Sequence, residues 1–406
     1  MRIDPDKHDS MTAPETLQVL VALGESRFVG GAVRNALLGA PVVDIDIAVP
    51  IPPQETLRRL KAKGIKVLET GLEHGTVTAI LGHHAFEITS LRQDVESDGR
   101  HAKVVFTTDW SKDAARRDFT INALYAGADG EIFDYAGGVN DLIAGKVRFV
   151  GEPAQRIAED YLRILRLFRF HAWYGRSELD PDALRAAADA KDKLKTLSGE
   201  RVAKELLRLL EAPNPVAVLR MMAATGILSE LLAGPLQLPR LERLVEIDTD
   251  NHFRGDAMLR MAALLPDDAD GAHAASDALK LSNAERLRLE QALSGQPLPD
   301  SLSAKQARAL LYRIGVARLR DKVLLHWAGL PKGGGAWRMV LEMADNWQRP
   351  RFCLTGRDVI RAGVPEGPEV GRILAQVEDW WVGGDFAADE GALRDRLTAV
   401  IDQDGR

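Results

Sequence analysis

The run Phe28-Val29-Gly30-Gly31-Ala32-Val33-Arg34-Asn35-Ala36-Leu37-Leu38-Gly39 is followed closely by Asp44-Ile45-Asp46-Ile47. The first piece suits phosphate and the second suits metal. The apolar run into Gly30 predicts a buried strand, the two glycines let backbone N–H groups approach a phosphate closely, and Ala32 to Leu38 predicts a helix whose N-terminus favours anions. Arg34 would point at the same phosphates. In the strand predicted next, side chains alternate, so Asp44 and Asp46 share one face while Ile45 and Ile47 turn to the core. Two carboxylates on one edge suit Mg²⁺ shared with substrate phosphates. Taken singly, Gly-Gly before a helix is a tight turn and Asp-x-Asp a solvated strand face. Together and in this order they point to nucleotidyl transfer.

Further along, Asp113-Ala114-Ala115-Arg116-Arg117-Asp118-Phe119-Thr120-Ile121-Asn122 sets two arginines beside aspartates. Guanidinium groups give planar, permanently charged contacts to phosphate oxygens, and Asn122 can add a hydrogen bond to a ribose hydroxyl. The same segment also reads as an ion-paired surface turn. Phe133-Asp134-Tyr135-Ala136-Gly137-Gly138 supplies a second glycine pair, a tight turn or a hinge. In Glu159-Asp160-Tyr161-Leu162-Arg163-Ile164-Leu165-Arg166-Leu167-Phe168-Arg169-Phe170, a continuous helix would put Asp160 and Arg163 on one face and Leu162, Leu165 and Phe168 towards a core. As pure physics that i, i+3 pair is an intrahelical salt bridge. In a nucleotide site it could instead read a base, with Asp160 accepting from the exocyclic amino group of cytosine or adenine and Arg163 donating to the ring nitrogen. Uracil and guanine would leave buried polar groups unpaired, at ~1–3 kcal/mol per group.

The elements that must hold these residues change character along the chain. From Phe28 to about Phe149, short β-like runs (Val42 to Val49, Thr76 to Leu81, Ala85 to Leu91, Lys103 to Phe106) alternate with helical segments, predicting a small α/β head. From about Pro153 onward the text is Leu-, Ala- and Arg-rich with a period near 3.6, predicting a helical body. The expected segments are an N-terminal piece (1–24), the head (25–150), a neck (151–215), a body (216–300) and a tail (301–406), with breaks near Gly151-Glu152-Pro153, Ala233-Gly234-Pro235 and Pro297 to Ser303. The chain has 406 residues, too many for one core. No apolar run nears the ~20 residues of a membrane span, and the N-terminus does not read as a secretory signal, so a cytoplasmic protein without membrane contact is expected. A lone cysteine, Cys353, excludes an intrachain disulfide and reads as a small buried hydrophobe. The net charge of -6 argues against indiscriminate nucleic-acid binding. Arg156, Arg163, Arg166 and Arg169, and again Arg201, Lys204 and Arg208, recur at helical spacing as either RNA-facing clusters or faces with acidic partners.

In order, these pieces resemble the class II tRNA nucleotidyltransferase and poly(A) polymerase family, which includes the bacterial CCA-adding enzymes. Gly30-Gly31-x-Val-Arg34 with Asp44-x-Asp46 looks like its first motif, Arg116-Arg117-Asp118-Phe-Thr-Ile-Asn122 its second, Asp134-x-x-Gly137-Gly138 its third, Glu159-Asp160-x-x-Arg163-x-x-Arg166-x-x-Arg169 its fourth, and Ser198-Gly199-Glu200-Arg201-Val202 with Glu205-Leu206 its fifth. The resemblance implies an α+β protein, a polymerase-β-like head followed by an all-helical neck, body and tail, and makes the neck the part that recognises the base and the tail the part that binds tRNA. It implies template-independent addition of CCA to the tRNA 3′ end from CTP and ATP, with release of pyrophosphate. Partners would be the tRNA acceptor arm and 3′ end, with no obligatory protein partner. Asp44 and Asp46 would hold two Mg²⁺ ions, a site that Mn²⁺ also suits, and Glu87 would support them from a neighbouring strand. Gly30, Gly31, Arg34 and Arg117 would bind the triphosphate, Asn122 the ribose, and Asp160 and Arg163 the base, with Arg166 and Arg169 lining the pocket. The polar stretch Gln93 to His101 matches a flexible loop involved in switching from C to A. Poly(A) polymerase, a partial CC- or A-adding enzyme, and a catalytically silent tRNA-binding protein share the motifs and stay open as alternatives. Two departures stand out: Asn35 replaces the usual Asp after Arg34, and Pro266 stands where some relatives carry a metal-binding His, which argues against phosphohydrolase activity.

Overall fold

Residues 1–69, 71–98, 101–330 and 334–404 are described by a computed structural model, and they divide into two compact units, Met1–Ala233 with Ala278–Lys280, and Gly234–Asp277 with Leu281–Arg406. The first unit carries nine strands: β1 (Arg27–Val29), β2 (Ile45–Val49), β3 (Lys66–Leu68), β4 (Thr76–Leu81), β5 (His84–Ser90), β6 (Arg92–Asp98), β7 (His101–Phe106), β8 (Leu124–Ala126) and β9 (Ile132–Asp134). Seven form one mixed sheet in the order β3-β4-β5-β2-β1-β8-β9, while β6 and β7 pair separately. Only β2 and β5 run parallel, in a register that sets Asp46 opposite Glu87. Phe28, Ile47 and Ile88 are fully buried, so the three strands that approach the chemistry are also anchored most firmly in the core.

Three local readings are corrected here. The strand expected over Val42 to Val49 starts only at Ile45, so Asp44 lies in the bend before it. Asn35 Nδ2 donates to the Pro41 carbonyl at 3.1 Å and Ser10 Oγ, from the N-terminal segment, to the Val42 carbonyl at 2.6 Å, so side chains take acceptors that a strand neighbour would need. The stretch Gln93 to His101 is no loop but most of the β6–β7 ribbon, with Gly99 and Arg100 outside the described residues. A two-stranded ribbon satisfies its backbone without burying a face, so polarity did not exclude it. Cys353 is exposed rather than buried. It alternates with Phe352 and Leu354, which pack on a core cluster, and the extended backbone therefore turns it outward.

Six helices of this unit place the functional residues: α1 (Gly31–Leu37), α2 (Trp110–Ala115), α3 (Gly138–Ala144), α4 (Pro153–Glu159), α5 (Leu162–Tyr174) and α6 (Gly199–Leu210). The Gly137-Gly138 pair makes a tight turn. Gly137 has φ 77°, the Asp134 carboxylate accepts from the N–H groups of Ala136, Gly138 and Val139, and a Cβ on Gly138 would stand 2.1 Å from the Thr120 carbonyl oxygen. On α5, Leu162, Ile164, Leu165, Leu167, Phe168 and Phe170 are buried, largely against α6, which leaves Arg163, Arg166 and Arg169 as a stripe on another face.

The secondary structure of the second unit is all helix among its described residues. Leu238–Asp250 packs on Ala257–Leu264 and Val316–Gly329, and the buried Arg260 pairs with Asp248 at 3.0 Å. A separate apolar cluster gathers Tyr312, Leu354, Val359, Ile373, Trp381 and Val400. No helix of the described residues is long and apolar enough to cross a membrane.

Candidate active site

The turn from β1 into α1 is shaped by Gly30, whose φ of 65° strains any residue with a Cβ. Its N–H is held by the Leu124 carbonyl and its own carbonyl accepts from Arg34, so the turn is tied to the sheet on one side and to α1 on the other. The amides of the first helical turn have no acceptor within α1. They border a cavity of about 690 Å³ that brings together Gly30, Gly31, Arg34, Asp44, Asp46, Arg117, Asn122, Arg166 and Arg169.

The carboxylates crowd one another. Asp46 projects from β2 beside Glu87 of β5, with Asp44 just before the strand. Burial, then the neighbouring Glu87 charge, pushes Asp46 up to about 6, with Asp44 adding and Arg117 opposing. None of the three carboxylates accepts a side-chain hydrogen bond or ion pair among the described residues. Like charges held together without a donor fit a hard divalent cation. Among the described residues no three potential ligands close into a cage.

A chain of polar contacts crosses the cavity floor. Arg34 donates to Asn122 Oδ1, Asn122 Nδ2 donates to Asp118 Oδ1 at 3.1 Å, and Arg166 Nε donates to Asp118 Oδ2 at 2.8 Å. Burial alone would raise Asp118, but the Arg166 guanidinium, Asn122 and the Phe119 N–H overcome it and hold the carboxyl at about 2. Arg117 is fixed by Asp113 and the Tyr125 hydroxyl, both of which it touches through Nε, and its other face comes within reach of Gly30. The deeply buried Asp113 also takes Arg116, so it aims both arginines at once. Arg169 is bound to Glu205 of α6 at 2.5 Å. The Arg34 guanidinium lies 4.3 Å from the centre of the Tyr174 ring, a cation–π contact.

Asn35, which replaces the usual Asp, makes two side-chain contacts. Its Oδ1 accepts from Arg34 Nη2 at 3.1 Å while its Nδ2 holds Pro41. The amide thus bridges Arg34 to the segment leading into Asp44, and an aspartate could not make the second bond.

Asp160 and Arg163 are placed differently from the helical reading. The helix breaks at Asp160, whose backbone is extended (φ -153°, ψ 108°), because its carboxylate accepts from the Leu162 N–H and starts α5 afresh. Asp160 then pairs with Arg201 at 3.0 Å, whereas Arg163 turns back to Glu159 and the Arg156 carbonyl. Neither side chain lines the cavity. The arginine clusters are also largely ion-paired inside this unit: Arg156 is buried against the Arg116 and Arg117 carbonyls and Glu159. Asp113, Glu205 and Phe170 lie within the motifs read from the sequence but were given no role there, and Tyr125 and Tyr174 were missed; of these two only Tyr174 left a signal, as an aromatic residue two turns beyond Arg166 on one helix.

Residues 26–148 match the Poly A polymerase head domain, and residues 178–239 match the domain described as "Probable RNA and SrmB- binding site of polymerase A". The chain is 35% identical over 374 residues to the mitochondrial CCA tRNA nucleotidyltransferase 1 of Homo sapiens, covering 88% of this chain and 82% of that protein. It is 30% identical over 404 residues to the CCA-adding enzyme of Streptococcus sanguinis, covering 98% of both. Among solved structures, the Bacillus stearothermophilus CCA-adding enzyme in complex with CTP superposes with a TM-score of 0.74 at 26% identity, over 96% of this chain and 98% of that one.

Proposed function

The chain belongs to the family of CCA-adding tRNA nucleotidyltransferases, and on that premise we propose that it adds C, C and A to the 3′ end of tRNA from CTP and ATP, releasing pyrophosphate, without a template. The observation that carries this reading is that Asp44 and Asp46, with Glu87 beside Asp46 on the neighbouring strand, stand at a cavity also lined by fixed arginines. Opposite needs of one substrate are met side by side: metal at the reacting phosphate, guanidinium and amide at the phosphates that leave.

In this reading Asp44 and Asp46 hold Mg²⁺, with Glu87 raising the negative charge at the same point. When bound, the metal activates the primer 3′-hydroxyl and neutralises charge on the leaving pyrophosphate. The Gly30-Gly31 turn offers backbone N–H groups to the triphosphate. Arg34 and Arg117 add charge to it, and both arrive preorganised because Asn122 and Asp113 hold them before substrate enters. One amide N–H of Asn122 remains for the ribose after Asp118 takes the other. Arg166 and Arg169 border the nucleotide from α5. Asp160 and Arg163 read the base after releasing Arg201 and Glu159, so binding of a matching base carries a partner exchange. The helical second unit contributes tRNA contacts by backbone and shape, and the reaction takes place in the cytoplasm, in keeping with a single free cysteine.

The test is extension of a tRNA transcript lacking CCA, sequenced at its end, with CTP and ATP supplied singly and together. Growth by CCA followed by arrest is expected. Long A tails, arrest after CC, or an Asp44→Ala/Asp46→Ala variant that still extends would each refute the assignment.

A further inference from the structure

Five arginines border the cavity, and four of them have partners. Arg117 is tied to Asp113, Arg166 to Asp118, Arg169 to Glu205, and Arg34 to Asn122 and Asn35. The fifth, Arg208, is exposed on α6 and its side chain makes no hydrogen bond or ion pair among the described residues. Glu211, three residues on, does not engage it. The helix that carries Arg208 is firmly seated, since Val202, Leu206, Leu209 and Leu210 are buried. An uncommitted guanidinium on a rigid support is poised for an anion that arrives from outside.

Its position along the cavity says which anion. The Trp173 indole N–H donates to the Arg208 carbonyl at 2.7 Å, pinning this point of α6 to the last turn of α5. The adjacent Tyr174 carries the cation–π contact with Arg34. Helix α5 has 13 residues, a length of roughly 20 Å, so Arg208 stands far from Asp160 and on the Arg34 side. Asp113, Asp118 and Glu205 neutralise the arginines they hold, whereas Arg34 and Arg208 keep charge that no carboxylate matches. After burial and Arg166, the Arg208 charge further depresses the Arg169 guanidinium, so like charges converge on this end. Such convergence favours a polyanion.

We propose that Arg208 binds the terminal phosphate of the incoming nucleoside triphosphate and then the departing pyrophosphate. This rests on the nucleotide placement given above. Arg208 forms no covalent bond; it donates N–H groups to phosphate oxygens and holds the triphosphate tail extended away from Asp44 and Asp46.

The experiment compares wild type, Arg208→Ala and Arg208→Lys in tRNA extension, with inorganic pyrophosphate as product inhibitor and CMP as control. Arg208→Ala should raise the pyrophosphate inhibition constant and the KM for CTP and ATP alike by about tenfold, leaving CMP inhibition and the KM for tRNA unchanged. Arg208→Lys should recover part of the loss, because it restores charge without the planar fork. An unchanged pyrophosphate constant overturns the proposal, as does an effect confined to the KM for tRNA, which would make Arg208 an RNA contact. A wild-type protein that binds pyrophosphate through Arg208 but extends no tRNA would refute the assigned reaction and not this site.

Discussion

Replacing Asp46 by Asn should stabilise the metal-free protein while abolishing its reaction. The carboxyl is raised from 3.8 to about 6 by burial and by the Glu87 and Asp44 charges. At ~1.4 kcal/mol per pH unit, that rise corresponds to ~3 kcal/mol by which the ionised group opposes folding at neutral pH. The open rim lets water screen part of it, so a gain of about 1–3 kcal/mol is expected for Asp46→Asn. The sign follows from proton binding. Between about pH 4 and 6 the native state holds the Asp46 proton more tightly than the unfolded chain, so wild-type stability falls as pH rises through that window and the deficit is complete above it. Urea unfolding in EDTA, followed at pH 4 and pH 7.5, should show the variant more stable at the higher pH and equal to wild type at the lower. Added Mg²⁺ should stabilise wild type and leave the variant unmoved, because binding to the native state alone shifts the equilibrium. A variant no more stable than wild type at pH 7.5 without metal would refute the argument that these carboxylates repel one another.

Other substitutions probe the frame around that centre. Arg166→Ala leaves Asp118 buried without its cation and should cost ~3–5 kcal/mol in urea unfolding. Asp118 is held at about 2, so its stabilisation is complete above its ordinary value near 4 and lost as pH falls towards 2; the variant's midpoint should lack that acid dependence. Gly138→Ala drives a methyl group against the Thr120 carbonyl, and a loss of ~3 kcal/mol or more, read as a lowered Tm, is expected. Asp160→Ala should relax base choice: UTP and GTP incorporation should rise by about tenfold or more relative to CTP in single-nucleotide extension assays, whereas unchanged discrimination would remove Asp160 from base reading.

Much of the head was legible because its signals are local. Gly30 and Gly31 announce a turn by residue type, Ile45 and Ile47 announce the buried strand face that exposes Asp46, and Thr76 to Leu81 reads as a strand and forms one. The neck stripe of Arg163, Arg166 and Arg169 follows from a 3.6-residue period alone. The break at Asp160 was not legible, because a carboxylate that caps one helix looks the same in sequence as one within a longer helix. Of the β6–β7 ribbon only the end over Lys103 to Phe106 was legible, because the polar stretch before it carries no β signal in its residue types.

By itself, then, the order of residues determined that a phosphate turn, a carboxylate pair and a series of arginines occur in one chain, since each is encoded by side-chain type and short spacing. Tertiary structure alone decided which charge meets which. Glu87 reaches Asp46 only because β5 pairs parallel with β2, Arg169 reaches Glu205 only because α6 packs against α5, and Arg166 meets an Asp118 that lies far from it in the chain. Electrostatic energy depends on distance and burial, and neither is a property of sequence spacing across strands and helices that meet from far apart in the chain.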